Sequence, residues 1–148
     1  MLFQKATEYA LRTLLYLAVH SSSTKKISID SVANGIDSPK AFTAKIIQQL
    51  THSSCGLVQS APGPRGGLFL TPSVLEMSVL DVLQLLGQAK VLCHCVLGLA
   101  ECSDANPCAM HEEYKLIRKS TIELFGSRTF GMLASESGKR ASVLSFSK

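Results

Sequence analysis

A mainly α-helical fold carrying one small β-hairpin is what this sequence predicts, on three observations. Apolar residues recur at helical spacing through most of the chain. One stretch, GLVQSAPGPRGGLFLTP, sets two short apolar arms around a Pro/Gly loop. The composition, 46% hydrophobic with no Trp, asks Leu, Ile, Val and Ala to fill a core. At 148 residues the chain suits one domain of ordinary size.

The elements follow in order. ATEYALRTLLYLAVH places Ala6, Tyr9, Ala10, Leu14, Leu17 and Ala18 on one face and predicts a first helix over 5–20. SSSTKK reads as a loop. SIDSVANG predicts a short second helix with Ile29, Val32, Ala33 and Ile36 inward, ended by a turn at Asn34-Gly35. In DSPKAFTAKIIQQLTHS, Ser38 is an N-cap candidate and Pro39 suits the first helical position, where its missing N–H costs nothing. Phe42, Ile46, Ile47 and Leu50 make the buried stripe of this third helix. Lys40, Thr43, Ala44, Lys45 and Gln48 fall outside it, as a short, polar, positive face of the kind that bonds phosphates and base edges.

The hairpin arms are Leu57-Val58-Gln59-Ser60 and Leu68-Phe69-Leu70-Thr71. Between them Arg65 stands among Gly63, Pro64 and Gly66, too small to block its entry into a narrow minor groove. Three helices and then a hairpin is the order of a winged helix-turn-helix, with the hairpin as wing. SVLDVLQLLG predicts a fourth helix, opened by a capping box of Ser78 with Asp81 and ended at Gly87. Asn106-Pro107 predicts the start of a long helix running to Gly126. Its apolar positions Met110, Tyr114, Ile117, Leu124 and Phe125 ask for a partner surface, so a homodimer is expected. The chain divides into a winged helix-turn-helix over 1–75, a thiol-loop and dimerisation region over 76–134, and a Ser-rich flexible tail over 135–148.

Charge is uneven. Residues 1–71 hold seven Lys/Arg against three Asp/Glu, and residues 72–126 hold four against seven. A basic first part suits a polyanion, although the excess alone is small. No apolar run is long enough for a bilayer, and Lys5, Glu8 and Arg12 interrupt the first helix. The five cysteines, an odd number, suit a reducing compartment. A cytoplasmic protein with no membrane partner is the expectation.

Four of those cysteines lie in CHCVLGLAECSDANPCAMH, residues 93–111. Cys95, Cys102, Cys108 and His111 form C-x6-C-x5-C-x2-H. Cys108 and His111 lie three apart at the predicted helix start, where the helix dipole favours a thiolate. Gly98 and Ser103-Asp104 let the loop bend. Three thiolates and an imidazole meeting at one point would suit tetrahedral zinc or an iron–sulfur cluster, and spacing does not choose between them. His20, His52 and His94 read as surface residues, and Cys55 as an ordinary small one. No Ser/His/Asp set, carboxylate pair or phosphate-cradling loop stands out, so an enzyme is not expected; GPRGG is a turn between strands.

The EYALR start, the SPK opening of the third helix, the GPRGG wing and the Cys-Cys-Cys-His loop, in that order, resemble the bacterial IscR/NsrR/CymR family of transcriptional regulators over about residues 1–126. The resemblance implies a homodimer on a palindromic double-stranded DNA operator. It also implies a 2Fe–2S or 4Fe–4S cluster on Cys95, Cys102 and Cys108. For the fourth ligand it offers His111, with IscR-like spacing, or Glu8, where NsrR-like members use a carboxylate from the partner's first helix. Cys93 lies outside that pattern. CymR-like members lack a cluster and work through a protein partner. The expected function is a repressor that senses iron–sulfur status, nitric oxide or redox state. A zinc-stapled or cluster-free interaction module is the alternative.

Overall fold

The computed structural model describes residues 2–52, 54 and 56–139; Cys55 lies outside them. Helix α1 spans Lys5–His20, as its periodicity predicts, and buries Ala10, Leu14 and Leu17. Helix α2 spans Ile29–Gly35 and is capped by Ser28, whose Oγ accepts the Ser31 N–H at 3.1 Å. Val32, Ala33 and Ile36 are buried, with Ile29 half-buried at the edge. Gly35 closes this helix and does not form the predicted turn. A Cβ there would stand 2.0 Å from Cε2 of Tyr16, so its lack of a side chain lets α1 and α2 approach. The chain turns instead at Asp37, which takes φ 52, a region Asp tolerates better than most residues.

Helix α3 spans Lys40–His52, one residue later than expected. The Ser38 N–H is spent on the Ala33 carbonyl at 2.9 Å, closing α2. The Pro39 carbonyl accepts the Thr43 N–H at 2.9 Å at the start of α3. Ser38 Oγ is buried without a partner and caps nothing. Strands β1 (Gln59–Ala61) and β2 (Gly67–Phe69) pair antiparallel, with Ser60 opposite Leu68. The loop read from SSSTKK reaches this hairpin: Ile27 exchanges both backbone bonds with Leu68, at 2.9 and 2.7 Å. The wing is thus tied to the helical head. At its tip Gly66 N–H bonds the Gly63 carbonyl at 2.9 Å, putting Pro64 and Arg65 at the centre of a β-turn. A Cβ on Gly66 would lie 2.1 Å from the Ala61 carbonyl oxygen, so this position requires glycine.

A short helix α4 (Pro72–Leu75) leads into α5 (Val79–Leu85), which opens with the predicted capping box. Asp81 Oδ2 accepts the Ser78 N–H at 2.8 Å, and Ser78 Oγ accepts the Asp81 N–H at 3.0 Å. The Ser78 side-chain and backbone bonds hold the Asp81 carboxyl below its ordinary value. That contribution is fully present above the unfolded-state value and is lost as pH falls through the lower folded one. Ser78→Ala is expected to cost ~1 kcal/mol, read as a lower urea midpoint at neutral pH. The gap to the parent should narrow in acid.

A 3₁₀ turn (Ala89–Cys93) enters the thiol segment, and helix α6 follows over His111–Ser127. It starts four residues after the predicted Asn106-Pro107 opening. Asn106 closes a tight turn instead, its N–H on the Ser103 carbonyl at 3.3 Å, so Cys108 lies outside the helix and not in its first turn. Helix α7 (Phe130–Lys139) is a further departure, because the expected tail begins inside it. Gly131 and its serines hide it from propensity. It forms because Phe130 is buried, Thr129 Oγ1 accepts the Met132 N–H at 3.2 Å, and Arg128 pairs with Glu136. Helix α7 packs on α1, and one apolar cluster extends from Ala10 to Phe130, joining the winged-helix head to the C-terminal helices. Residues 140–148 lie outside the described ones. No described helix is long and apolar enough to cross a membrane.

Candidate functional site

Two surfaces carry the expected chemistry. On α3, Lys45 and Gln48 are exposed, together with Gln49, which the stripe argument does not single out. Lys40 is exposed and pairs with Asp30 at 2.8 Å. Such a surface pair contributes ~0–1 kcal/mol and yields readily to a phosphate. Thr43 is a correction. It is fully buried, and its Oγ1 donates to the Pro39 carbonyl at 3.1 Å, so it braces the helix start and reaches no ligand. Ser38 Oγ is likewise turned inward. On the wing, Gly63, Pro64 and Arg65 are exposed and Gly66 is half-buried. Lys26, next to the Ile27 bridge, lies over the Phe69 ring at 5.5 Å and adds a cation beside the wing.

The second surface is the thiol segment. Its four ligand candidates stand as two pairs. Cys95 Sγ and Cys108 Sγ are 3.7 Å apart; Cys102 Sγ and His111 Nδ1 are 3.6 Å apart. The first pair joins the loop after the 3₁₀ turn to the segment before α6, and the second joins the mid-loop to the first residue of α6. Among the described residues, the three Cys, His or acidic side chains whose ligand atoms all lie within 4.8 Å of one another are Asp104, His111 and Glu112. The sulfurs do not converge on a single point. Cys93 is exposed and in neither pair, and Glu8 is half-buried on α1, also in neither.

Each pair has its own electrostatics. The backbone N–H groups of Leu99 and Leu97 bond the buried Cys95 sulfur and hold its thiol below the ordinary range; burial opposes them, and Cys108 and the Gly98 N–H add less. At the second pair, Arg118 Nη2 donates to Cys102 Sγ at 2.9 Å, while its Nε is buried without a partner. His111 Nε2 meets Asp104 Oδ1 at 2.9 Å, and Lys115 Nζ holds that same oxygen at 2.5 Å. The bonds from Lys115 and then His111 keep the Asp104 carboxyl below its usual value, and the Lys115 ammonium is raised in return. Because Lys115 occupies that oxygen, the Asp104–His111–Glu112 set presents a cation to any entering metal. Cysteine spacing does not point to Asp104, Lys115 or Arg118. Helical spacing does for two of them: His111, Lys115 and Arg118 stand at i, i+4, i+7 and share one face of α6.

A third feature is the outer face of α6. Leu116, Ile117 and Leu124 are 68%, 60% and 55% exposed, whereas Ile122 and Phe125 pack on the core.

The model of the Rrf2 family, described as iron-dependent transcriptional regulators, matches residues 3–136. A protein of Aquifex aeolicus (strain VF5), described as an HTH-type transcriptional regulator, is 30% identical over 131 residues, covering 87% of this chain and 88% of that protein. The HTH-type transcriptional repressor NsrR of Streptomyces coelicolor is 33% identical over 119 residues, covering 80% and 74% respectively. Among solved structures, CymR of B. subtilis, the global cysteine regulator, superposes with a TM-score of 0.69 at 22% identity, over 90% of this chain and 96% of that one. IscR of T. potens does so with a TM-score of 0.68 at 18% identity, over 95% and 90%. At such identities these two establish the fold.

Proposed function

The chain belongs to the Rrf2 family of transcriptional regulators, and from that premise we propose that it is a homodimeric DNA-binding repressor whose operator affinity answers to a 2Fe–2S cluster on Cys95, Cys108, Cys102 and His111. Its relatives are regulators and not enzymes.

One observation carries the cluster reading: the ligands stand two and two. With metal–sulfur bonds of about 2.3 Å, two thiolates on one tetrahedral ion stand about 3.7 Å apart, and a thiolate and an imidazole slightly less. The Cys95–Cys108 and Cys102–His111 separations, 3.7 and 3.6 Å, each match one such edge. A single zinc ion needs all four atoms at mutual edges of that length, and no such set occurs among the described residues. A four-iron cube takes one ligand per iron and has no use for pairs. Two irons with two ligands each fit the arrangement. The amides at Cys95 and the Arg118 guanidinium at Cys102 supply hydrogen bonds to ligating sulfurs, and such bonds set the potential of a bound cluster. Protein reconstituted anaerobically is expected to hold equal amounts of iron and acid-labile sulfide, about two of each per chain. Zinc without sulfide would overturn this reading in favour of a zinc-stapled module.

For DNA, the reading places the exposed α3 face, Lys45, Gln48 and Lys40, in a major groove and Arg65 of the wing in the flanking minor groove. Two copies would meet half-sites about 34 Å apart. The thiol segment lies between the head and α6, so its state biases the angle between two heads. A shift of a few kcal/mol in that balance changes affinity tens- to thousandfold. Iron–sulfur supply, nitric oxide and redox state all fit as signals. Arg65→Ala is expected to weaken operator binding and to make the slope of log affinity against log salt shallower by about one. Unchanged binding across a salt titration would remove the wing from the interface.

A further inference from the structure

The His111 side chain is 4% exposed, yet its outer nitrogen meets a carboxylate that is 70% exposed. Lys115, which braces that carboxylate, is 49% exposed. An open ion pair of this kind contributes little to stability. Its consequence lies in the ring it touches. Imidazole has two distinct nitrogens, and the partner of one decides what the other offers. A carboxylate only accepts. With Asp104 Oδ1 at 2.9 Å from Nε2, the neutral ring carries its proton there, and Nδ1 presents a lone pair toward Cys102 Sγ at 3.6 Å. The backbone is built to hold this. Asp104 lies within the turn closed by the Ser103–Asn106 bond, and Lys115 lies one helical turn beyond His111 on the same face of α6.

We propose that Asp104, braced by Lys115, is a positioning residue: it fixes the orientation and tautomer of the His111 ring, so that Nδ1 and Cys102 Sγ form one ready-made ligating edge. The identity of what binds that edge rests on the cluster reading above; the ring geometry does not. His111 is thereby held in place within its own chain before any metal arrives. Without Asp104 the ring can exchange tautomers and rotate, and removal of such an outer partner typically costs 10- to 100-fold in metal affinity.

The test has two arms on the full-length protein. In the first, ¹⁵N-histidine-labelled, reduced, chelator-treated protein in alkaline buffer is followed by long-range ¹H–¹⁵N correlation, with the His111 signals assigned by their disappearance in His111→Gln. The expected wild-type pattern is a ring protonated at Nε2. Asp104→Ala should mix the tautomers, Asp104→Asn, which keeps an acceptor oxygen, should restore the pattern, and Glu112→Gln should leave it unchanged. A wild-type ring protonated at Nδ1, or an Asp104→Ala pattern identical to wild type, overturns the proposal. In the second arm, iron and sulfide are loaded anaerobically and then challenged with chelator. Asp104→Ala should release them about tenfold faster than wild type and Asp104→Asn by less. Equal release from all three overturns the ligating role. A wild type that takes up no iron and sulfide while keeping the Nε2-protonated ring overturns the cluster reading and supports the positioning of His111.

Discussion

Cys102→Ala is expected to give a folded protein that retains no iron–sulfur cluster. The residue is half-buried and supplies one of the two atoms of its ligand pair, so its removal leaves His111 alone on that side. The other pair keeps both sulfurs, but an iron with one protein ligand and solvent exchanges rapidly. The fold does not depend on this thiol. Cys102 is absent from the apolar cluster, which is built from α1 to α5, the hairpin, Leu92 of the 3₁₀ turn and Phe130. Two groups lose a partner: His111 Nδ1, whose ring keeps its bond to Asp104, and Arg118, whose Nη2 bonds Cys102 Sγ and whose Cζ lies 5.6 Å from the Tyr114 ring centroid, where the cation–π attraction persists. Iron, acid-labile sulfide and visible absorbance after anaerobic reconstitution should all fall to background, with the thermal melt moved by no more than a few degrees. Cys93→Ala is the matched control, since Cys93 is exposed and outside both pairs; it should load like wild type. Full loading of Cys102→Ala, or an empty Cys93→Ala, would reassign the ligands.

The division between what can and cannot be read from the sequence has physical causes. Helices α1 and α5 and the hairpin are legible because hydrophobic period and capping chemistry are local. Of the predicted α6 stripe, Ile117 and Leu124 are exposed, whereas Phe125 packs on the core and the exposed Leu116 lies outside the prediction. Thr43 misleads because its position looks outside the apolar stripe, whereas its hydroxyl bonds back to the Pro39 carbonyl just before the helix and lets the methyl be buried. Helix α7 is hidden because its stability comes from docking on α1, which no window of FGMLASESGK reveals. For the thiols, the sequence identifies which residues matter but points to one site of convergence. Their separation into two pairs depends on where α6 starts, and that is set by the turn at Ser103–Asn106 and not by the Asn106-Pro107 signal.

The second large effect concerns α6. Ile117→Glu is expected to turn a dimer into a folded monomer and to weaken operator binding by at least about a hundredfold. Ile117 is 60% exposed between Leu116 and Leu124, so within one chain the substitution leaves the core untouched and should move stability by no more than ~0.5 kcal/mol. Across a two-fold axis the same patch meets itself, so one substitution acts twice. Burying an Ile or Leu side chain contributes about 1.5–3 kcal/mol. Removing the two Ile117 side chains and placing two carboxylates against each other exceeds what a dimer resting on this stripe can absorb. The effect on DNA follows from linkage: in a dimer the second head binds at an effective concentration near millimolar, and a monomer forgoes that gain entirely. Sedimentation velocity should show a single monomeric species with unchanged far-UV circular dichroism. A DNA titration should show only the weak, salt-sensitive binding of one head. A persistent dimer would mean that the exposed face of α6 is not where two copies meet. The angle between heads would then have to be set elsewhere, and the thiol segment, which leads directly into α6, would have no route to the DNA.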